Sequence, residues 1–181
     1  MMRAVLFAAA LIFATPMTFA GTGTETAQDV VEGVATDISA CGHEELAEIV
    51  LQNLDIPAIA TFTLGRHAKH LDDSTKGRFV EAFEAYLRDQ IDANAHQFIG
   101  ANLNVVDTNQ RNSKDAIVTT MVDHAGKRVT VRWRVIKRGD AWSVVDVQFA
   151  GVWLAIEQRA QIAALLDRPG TDIDDVIERF H

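Results

Sequence analysis

The apolar residues of the chain follow two different periods. Up to Gly100 they recur mostly at steps of three and four residues, which is typical of amphipathic helices. From Ala101 to Phe149 they mostly alternate with polar residues, which is typical of strands with one buried face. Beyond Gly151 the helical period returns. The pattern therefore predicts helices, then a run of strands, then helices again.

The first part of the chain is predicted to be helical. Two short helices, in TAQDVVEGVATDI and EELAEIVLQNL, precede a third in DIPAIATFTLGRHAKHL, which has Asp55 as its N-cap and Pro57 in its first turn. Gly65 is expected to break this third helix or to mark a close approach. The longest helix is predicted from Ser74 to Gly100, with a buried stripe of Phe79, Phe83, Tyr86, Leu87, Ile91 and Phe98.

Four strands are predicted next, in ANLNVVD, DAIVTTMVD, KRVTVRWRVIKRG and AWSVVDVQF. The turn signals between them are short, so neighbouring strands are expected to pair antiparallel. In the third strand Arg132 and Arg134 are expected to face solvent. The covered face of the same strand is predicted to consist of Val129, Val131, Trp133 and Val135.

Two further helices are predicted after the strands. GVWLAIEQRAQIAALL is expected to bury one face, formed by Val152, Ile156 and Ala160. GTDIDDVIERF is expected to be a short C-terminal helix with Ile173, Val176, Ile177 and Phe180 on its apolar side.

This order of elements predicts an α+β fold. Helices would cover one face of a curved four-stranded antiparallel sheet and enclose an apolar interior. The pattern alone leaves open whether side chains fill that interior or an apolar cavity remains. About 160 residues after a leader are enough for one domain with a core and a modest cavity.

The first twenty residues predict export. An apolar stretch follows Arg3, and a small residue stands at Ala20, as in a secretory signal peptide. Pro16 interrupts this stretch, which argues against a membrane-spanning helix. We therefore expect residues 1–20 to be a signal peptide and residues 21–181 to form a single domain.

Charge and cysteine content narrow the possible partners. Without residues 1–20 the chain would carry 16 basic and 25 acidic residues, a net charge of −9. Nucleic acid is not expected as a partner, because its binding relies on basic surface. The single cysteine, Cys41, excludes an internal disulfide, and we interpret it as a partly buried thiol that packs like a small apolar residue.

Asp146 is the candidate for acid–base chemistry, because it interrupts the apolar strand SVVDVQF. A carboxylate in an apolar pocket could act as the general base of a small cavity enzyme, an isomerase or a hydrolase. In the structural alternative, Asp146 accepts hydrogen bonds from the chain near the strand-to-helix turn, or pairs with Arg132 or Arg134 across the sheet. The structural interpretation is favoured, because the sequence supplies no partner acid or oxyanion donor.

Metal binding has a weaker signal still. His67 and His70 are three residues apart and could share one helix face. No third ligand follows at a recognisable spacing, so a solvated helix face is the favoured interpretation.

Three segments carry a resemblance to a known family. DIPAIATFTLGRHAKHL, RFVEAFEAYLRDQI and WSVVDVQFAGVWLAIEQRAQI, in this order, resemble the MlaC family of periplasmic phospholipid-binding proteins, also called toluene-tolerance proteins. The resemblance extends roughly from Glu44 to Phe180. Each motif is weak alone, and their order and spacing make the resemblance specific.

The resemblance implies a function and a set of partners. It implies a periplasmic carrier that binds a phospholipid by its acyl chains and shuttles it between an outer-membrane lipoprotein complex and an inner-membrane ABC transporter complex of the Mla type. It implies no catalysis, no metal and no cofactor. The residues expected to line the lipid site are Phe62, Phe79, Phe83, Tyr86, Val131, Trp133, Val145, Val147 and Trp153.

Overall fold

The computed structural model describes residues 25–180, so the predicted signal peptide lies outside the described residues. The helices are α1 (Ala27–Ala40), α2 (Leu46–Gln52), α3 (Ile56–Leu64), α4 (Asp73–Asn94), α5 (Leu154–Leu166) and α6 (Ile173–Glu178). The strands are β1 (Asn102–Asn112), β2 (Asp115–His124), β3 (Lys127–Arg138), β4 (Ala141–Phe149) and β5 (Val152–Trp153). Short 3₁₀ turns follow α3 and α4, at Gly65–His70 and Ala95–Gln97.

The strands form one antiparallel meander in the order β1-β2-β3-β4-β5. The α+β fold with a helix-covered antiparallel sheet is thus confirmed, with five strands instead of the predicted four. The added strand, β5, lies where the sequence predicted the start of a helix. Ala150 (φ 49°) and Gly151 (φ 85°) both adopt positive φ, which lets two residues reverse the chain so that β5 pairs with β4.

The predicted helix signals hold at the start of α3. Asp55 caps the helix by accepting a hydrogen bond from the backbone N–H of Ala58 (3.0 Å), and Pro57 lies in the first turn. Gly65 ends the helix with φ 56°. The guanidinium of Arg159 packs against this glycine, with its Nε 3.1 Å from the position that a Cβ of residue 65 would occupy. Both expectations for Gly65, a break and a close approach, are therefore met.

Helix α4 ends earlier than predicted. It begins after Asp72, which caps it, and stops at Asn94, six residues before Gly100. A 3₁₀ turn follows, in which Ala95 is fully buried. At this turn the chain leaves α4 and continues towards the sheet. Phe98 still packs inward, against the ring of Phe149, so the continued apolar spacing reflects burial in a turn and not helix.

The predicted buried face of α5 is wrong. Val152 and Ile156 are 45% and 52% exposed, and Ala160 is also exposed. The helix buries Ala155 and Ile162 instead. Ala155 and Ile162 are seven residues apart and so lie on one face of the helix.

Two apolar clusters hold the fold together. In the first, α1 packs on the sheet, with Val31 and Val34 among the helix residues and Val118 and Val135 among the strand residues. Half-buried Cys41 packs against this cluster. The second cluster joins α3, α4, α5 and α6, and the predicted apolar side of α6 contributes to it. A backbone bridge between Leu54 and Val144 connects the helices to the sheet where the two clusters meet.

Candidate functional site

A cavity of about 410 Å³ lies between the sheet and the helices. On the sheet side its lining comprises Leu103, Val122, Val131, Trp133, Val147 and Phe149. On the helix side it comprises Ile38, Leu46, Val50, Leu54, Tyr86, Leu87, Gln90, Ile91, Asn94, Phe98, Leu154 and Gln158. The volume lies within the range of about 300–1,000 Å³ that is typical of small-molecule sites.

Strand alternation produces the floor of the cavity. Because successive side chains of β3 point to opposite faces, Val131, Trp133 and Val135 are buried while their neighbours are more exposed. The indole N–H of Trp133 donates to the Oγ1 of Thr120 (3.0 Å), a threonine that is itself fully buried. The polar atom of the indole is thus satisfied by the sheet, and the ring can present apolar surface to the cavity.

The mouth of the cavity lies between α4 and the start of α5. Three lining residues are exposed to solvent: Gln90 and Asn94 on α4, and Leu154, which is 48% exposed, on α5. Asn94 donates from its amide to the backbone oxygen of Gln90 (2.7 Å). None of the described lining residues carries a charge. The cavity is therefore apolar inside, with neutral polar groups at its edge.

A second cavity, of about 70 Å³, lies beside the first. Ile59, Phe83, Asp146 and Ala155 line only this smaller cavity. Five residues line both cavities and form the wall between them: Leu54, Leu87, Val147, Leu154 and Gln158.

Asp146 fixes the first turn of α5. Its Oδ1 accepts hydrogen bonds from the backbone N–H groups of Ala155 (2.9 Å) and Val147 (2.8 Å), and the residue is 6% exposed. The N-cap of α5, Trp153, provides no side-chain hydrogen bond, so Asp146 satisfies a backbone donor that would otherwise be buried without a partner. This is the first of the two structural alternatives derived from the sequence.

The second alternative, an ion pair with an arginine, is not made. Arg134 is opposite Asp146 in the β3–β4 register, but its guanidinium pairs with Asp115 (3.2 Å). Arg132 hydrogen bonds to Gln148 (3.4 Å) and lies over the ring of Trp153 (5.8 Å). Arg134 contributes only a longer-range attraction to Asp146.

Burial raises the pKa of Asp146, and the hydrogen bonds from Ala155 and Val147 and the charge of Arg134 oppose that rise only in part. The folded chain therefore binds this proton more tightly than the unfolded chain does. Relative to Asp146→Asn, which keeps an oxygen acceptor, the wild type should gain stability as the pH falls from the raised pKa towards the ordinary value for aspartate. Urea unfolding of both proteins across that pH range measures the effect.

Asp140→Asn, the same substitution at an exposed aspartate in the turn before β4, is the matched control. A stability difference between wild type and Asp146→Asn that does not change with pH would contradict a raised pKa.

The structure brings together five of the nine residues predicted to line the site. Tyr86, Val131, Trp133 and Val147 line the large cavity, and Phe83 and Val147 line the small one. The other four, Phe62, Phe79, Val145 and Trp153, line neither cavity.

Each of these four residues has a different environment. Phe62 is 39% exposed at the end of α3, under the guanidinium of Arg159 (4.8 Å). Phe79 is fully buried in the second cluster, in contact with the rings of Phe83 and Phe180. Val145 is the extra residue of a bulge in β4, and Trp153 stacks with Arg132 away from the cavity. Spacing alone does not separate such positions from cavity positions.

The lining that the prediction missed is spread over both layers, with residues from α1, α2, α4, α5 and strands β1, β2 and β4. Ile38, Leu46, Val50 and Leu54 were recognisable as apolar helix positions. The sequence held no signal that these positions face an open space. Gln90 and Asn94 carried no apolar signal at all, although they continue the Tyr86 side of α4 at four-residue steps.

Other candidate chemistry is sparse. His67 and His70 lie in the 3₁₀ turn after α3, and the Nε2 of His67 is 3.3 Å from Asp167. Among residues 25–180, no group of three or more histidine, cysteine or acidic side chains is placed to hold a metal ion. Within the same residues no helix is both long enough and apolar enough to cross a membrane.

The chain is similar to known proteins both in sequence and in structure. The sequence model of the MlaC protein family matches residues 25–181. No curated protein sequence matches the chain. Among solved structures, the fold is similar to that of a phospholipid-binding protein from Ralstonia solanacearum in complex with a phospholipid, with a TM-score of 0.76 and 16% sequence identity. The similarity covers 86% of this chain and 95% of that one.

Proposed function

Because the chain belongs to the MlaC family, we propose that it is a periplasmic phospholipid carrier that holds the acyl chains of its cargo in the 410 Å³ cavity. The observation that carries this proposal is an apolar cavity, open at one edge, with no charged residue in its described lining. The bound phospholipid of the Ralstonia solanacearum relative supports it.

The cavity suits the physical task of a carrier. Each acyl methylene removed from water contributes about 0.8 kcal/mol, so lipid tails leave a membrane at a useful rate only if another apolar site receives them. Trp133, Val131 and Val147 supply such a surface inside. The head group would remain near Gln90 and Asn94 at the mouth, where neutral side chains and solvent satisfy its polar atoms.

We further propose a transport role, which combines the site with the predicted signal peptide. Residues 1–20 predict export, and the family resemblance implies passage between an outer-membrane lipoprotein complex and an inner-membrane ABC transporter complex of the Mla type. The protein would act as the carrier that connects the two, with phospholipid as its ligand.

Binding without catalysis is the function that the site supports best. Asp146, the candidate base for an isomerase or hydrolase, has its Oδ1 engaged by two backbone N–H groups and anchors α5. The large cavity offers no titratable acid or base from its described lining apart from the phenol of Tyr86. We therefore propose a lipid-binding protein and not an enzyme.

The test is direct lipid analysis. The full chain, expressed with its leader and purified from the periplasm without detergent, should release about one phospholipid per chain into organic solvent, as measured by lipid mass spectrometry. A periplasmic protein of similar size purified in parallel gives the background. The proposal would be overturned if the folded protein yields a lipid-free extract and also fails to take up phospholipid from vesicles.

A further inference from the structure

The wall between the two cavities contains one polar side chain. Of the five residues that line both cavities, four are apolar and the fifth is Gln158 on α5. An amide in such a wall is unfavourable unless it is hydrogen bonded. Gln158 meets this condition by donating from its Nε2 to the phenol oxygen of Tyr86 on α4 (3.2 Å).

The partner of Gln158 is itself held in place. The ring of Tyr86 packs against those of Phe180 (4.9 Å between centroids) and Phe83 (6.4 Å), within the second apolar cluster. The hydrogen bond therefore connects α5 to a fixed point on α4. Gln158 is thereby held in the wall between the two cavities.

We propose that Gln158, positioned by Tyr86, determines acyl-chain specificity by keeping the tails in the large cavity and out of the small one. The inference rests on the proposed lipid-binding function. A chain that extended from one cavity into the other would have to displace the Gln158 amide and leave it without a partner in an apolar wall. That loss, about tenfold in affinity, exceeds the gain of about fourfold from one methylene that enters the small cavity and offsets most of the gain of about sixteenfold from two.

The small cavity would otherwise be available to lipid. Its lining is apolar apart from Gln158 and Asp146, and the Oδ1 of Asp146 is already occupied by backbone donors. Leu54, Leu87 and Leu154 in the wall can change rotamer without losing a hydrogen bond. Gln158 is therefore the wall residue whose removal should extend the accessible volume.

The test is a competition between lipids that differ in chain length. Delipidated wild type and Gln158→Ala are incubated with vesicles that contain dimyristoleoyl- and dioleoyl-phosphatidylcholine in equal amounts, and native mass spectrometry measures the two complexes. In Gln158→Ala the ratio of the longer to the shorter bound lipid should rise about fourfold or more over wild type, which is the gain from one further buried methylene.

Two other variants make the test specific. Tyr86→Phe removes the hydroxyl and keeps the ring, so it should fold as the wild type does and give a smaller rise in the same ratio, even if Gln158→Ala is unstable. Gln161→Ala removes the same side chain from an exposed position of α5, where the amide hydrogen bonds to Glu157 (2.9 Å), and should leave the ratio unchanged.

The outcomes separate the two proposals. If wild type and variants all bind both lipids with one unchanged ratio, the role of Gln158 is wrong and the lipid-binding function stands. If folded wild type binds neither lipid, the proposed function itself fails.

Discussion

Val131→Trp is expected to reduce the affinity for phospholipid more than tenfold while the protein stays folded. Val131 lies in the middle of β3 and is buried beside the cavity, so a larger side chain there projects into the space proposed for the acyl chains. Excluding even two methylenes costs about 1.6 kcal/mol, which is slightly more than tenfold in affinity. Lipid mass spectrometry of protein from the periplasm, and uptake from vesicles, both measure the loss.

The neighbouring residue provides the matched control. Thr130→Trp introduces the same side chain on the opposite, exposed face of β3 and should leave lipid occupancy at the wild-type level. The indole in Val131→Trp enters existing space, so the variant should fold with little rearrangement. Thermal unfolding of the lipid-free proteins identifies any loss of lipid binding that arises from misfolding. Full occupancy in folded Val131→Trp would show that the tails bind elsewhere.

Phe79→Ala is expected to destabilise the protein by about 3–5 kcal/mol, the usual effect of removing a fully buried phenylalanine. Phe79 is 0% exposed, and its ring packs against those of Phe83 (6.0 Å between centroids) and Phe180 (5.7 Å). For a domain of this size the midpoint of thermal unfolding should fall by about 6–20 °C. Because Phe79 lines neither cavity, the folded fraction should still carry lipid.

Phe62→Ala is the comparison for this effect. Phe62 is 39% exposed and contacts the guanidinium of Arg159, an interaction worth about 0.5–1 kcal/mol. Its loss should lower the free energy of unfolding by about 1 kcal/mol and leave lipid occupancy unchanged. If the two phenylalanines had equal effects on stability, their assignment to core and surface would be wrong.

The change of period near Gly100 was enough to predict the fold class. Alternation within β3 correctly assigned Val131 and Trp133 to the covered face, because a half-buried strand repeats every two residues whatever lies opposite it. Capping chemistry located the start of α3 at Asp55 for a similar reason, since the hydrogen bond is made within a few residues. Local rules of this kind need no knowledge of the remaining chain.

The errors arose where a distant residue decides the outcome. The face that α5 buries depends on Asp146 and on the hairpin that forms β5. Asp146 accepts a hydrogen bond from the backbone N–H of Ala155, nine residues further along the chain. Phe79 and Tyr86 belong to the same stripe of α4 and both contact the ring of Phe180, yet Phe79 is fully buried while Tyr86 also lines the cavity. The apolar period records burial, and it does not distinguish packed protein from empty space.

The hairpin of β4 and β5 has a consequence for the way the cavity is constructed. Ala150 and Gly151 join β4 to β5 within two residues, β5 continues into α5 without a break, and Asp146 ties the first turn of α5 back to β4. Leu154 is therefore attached to the sheet through both backbone and hydrogen bond, whereas Gln90 is carried by a separate helix. The mouth therefore lies between α4 and the sheet-anchored start of α5, and one turn beyond Leu154 the hydrogen bond from Gln158 to Tyr86 ties these two helices together.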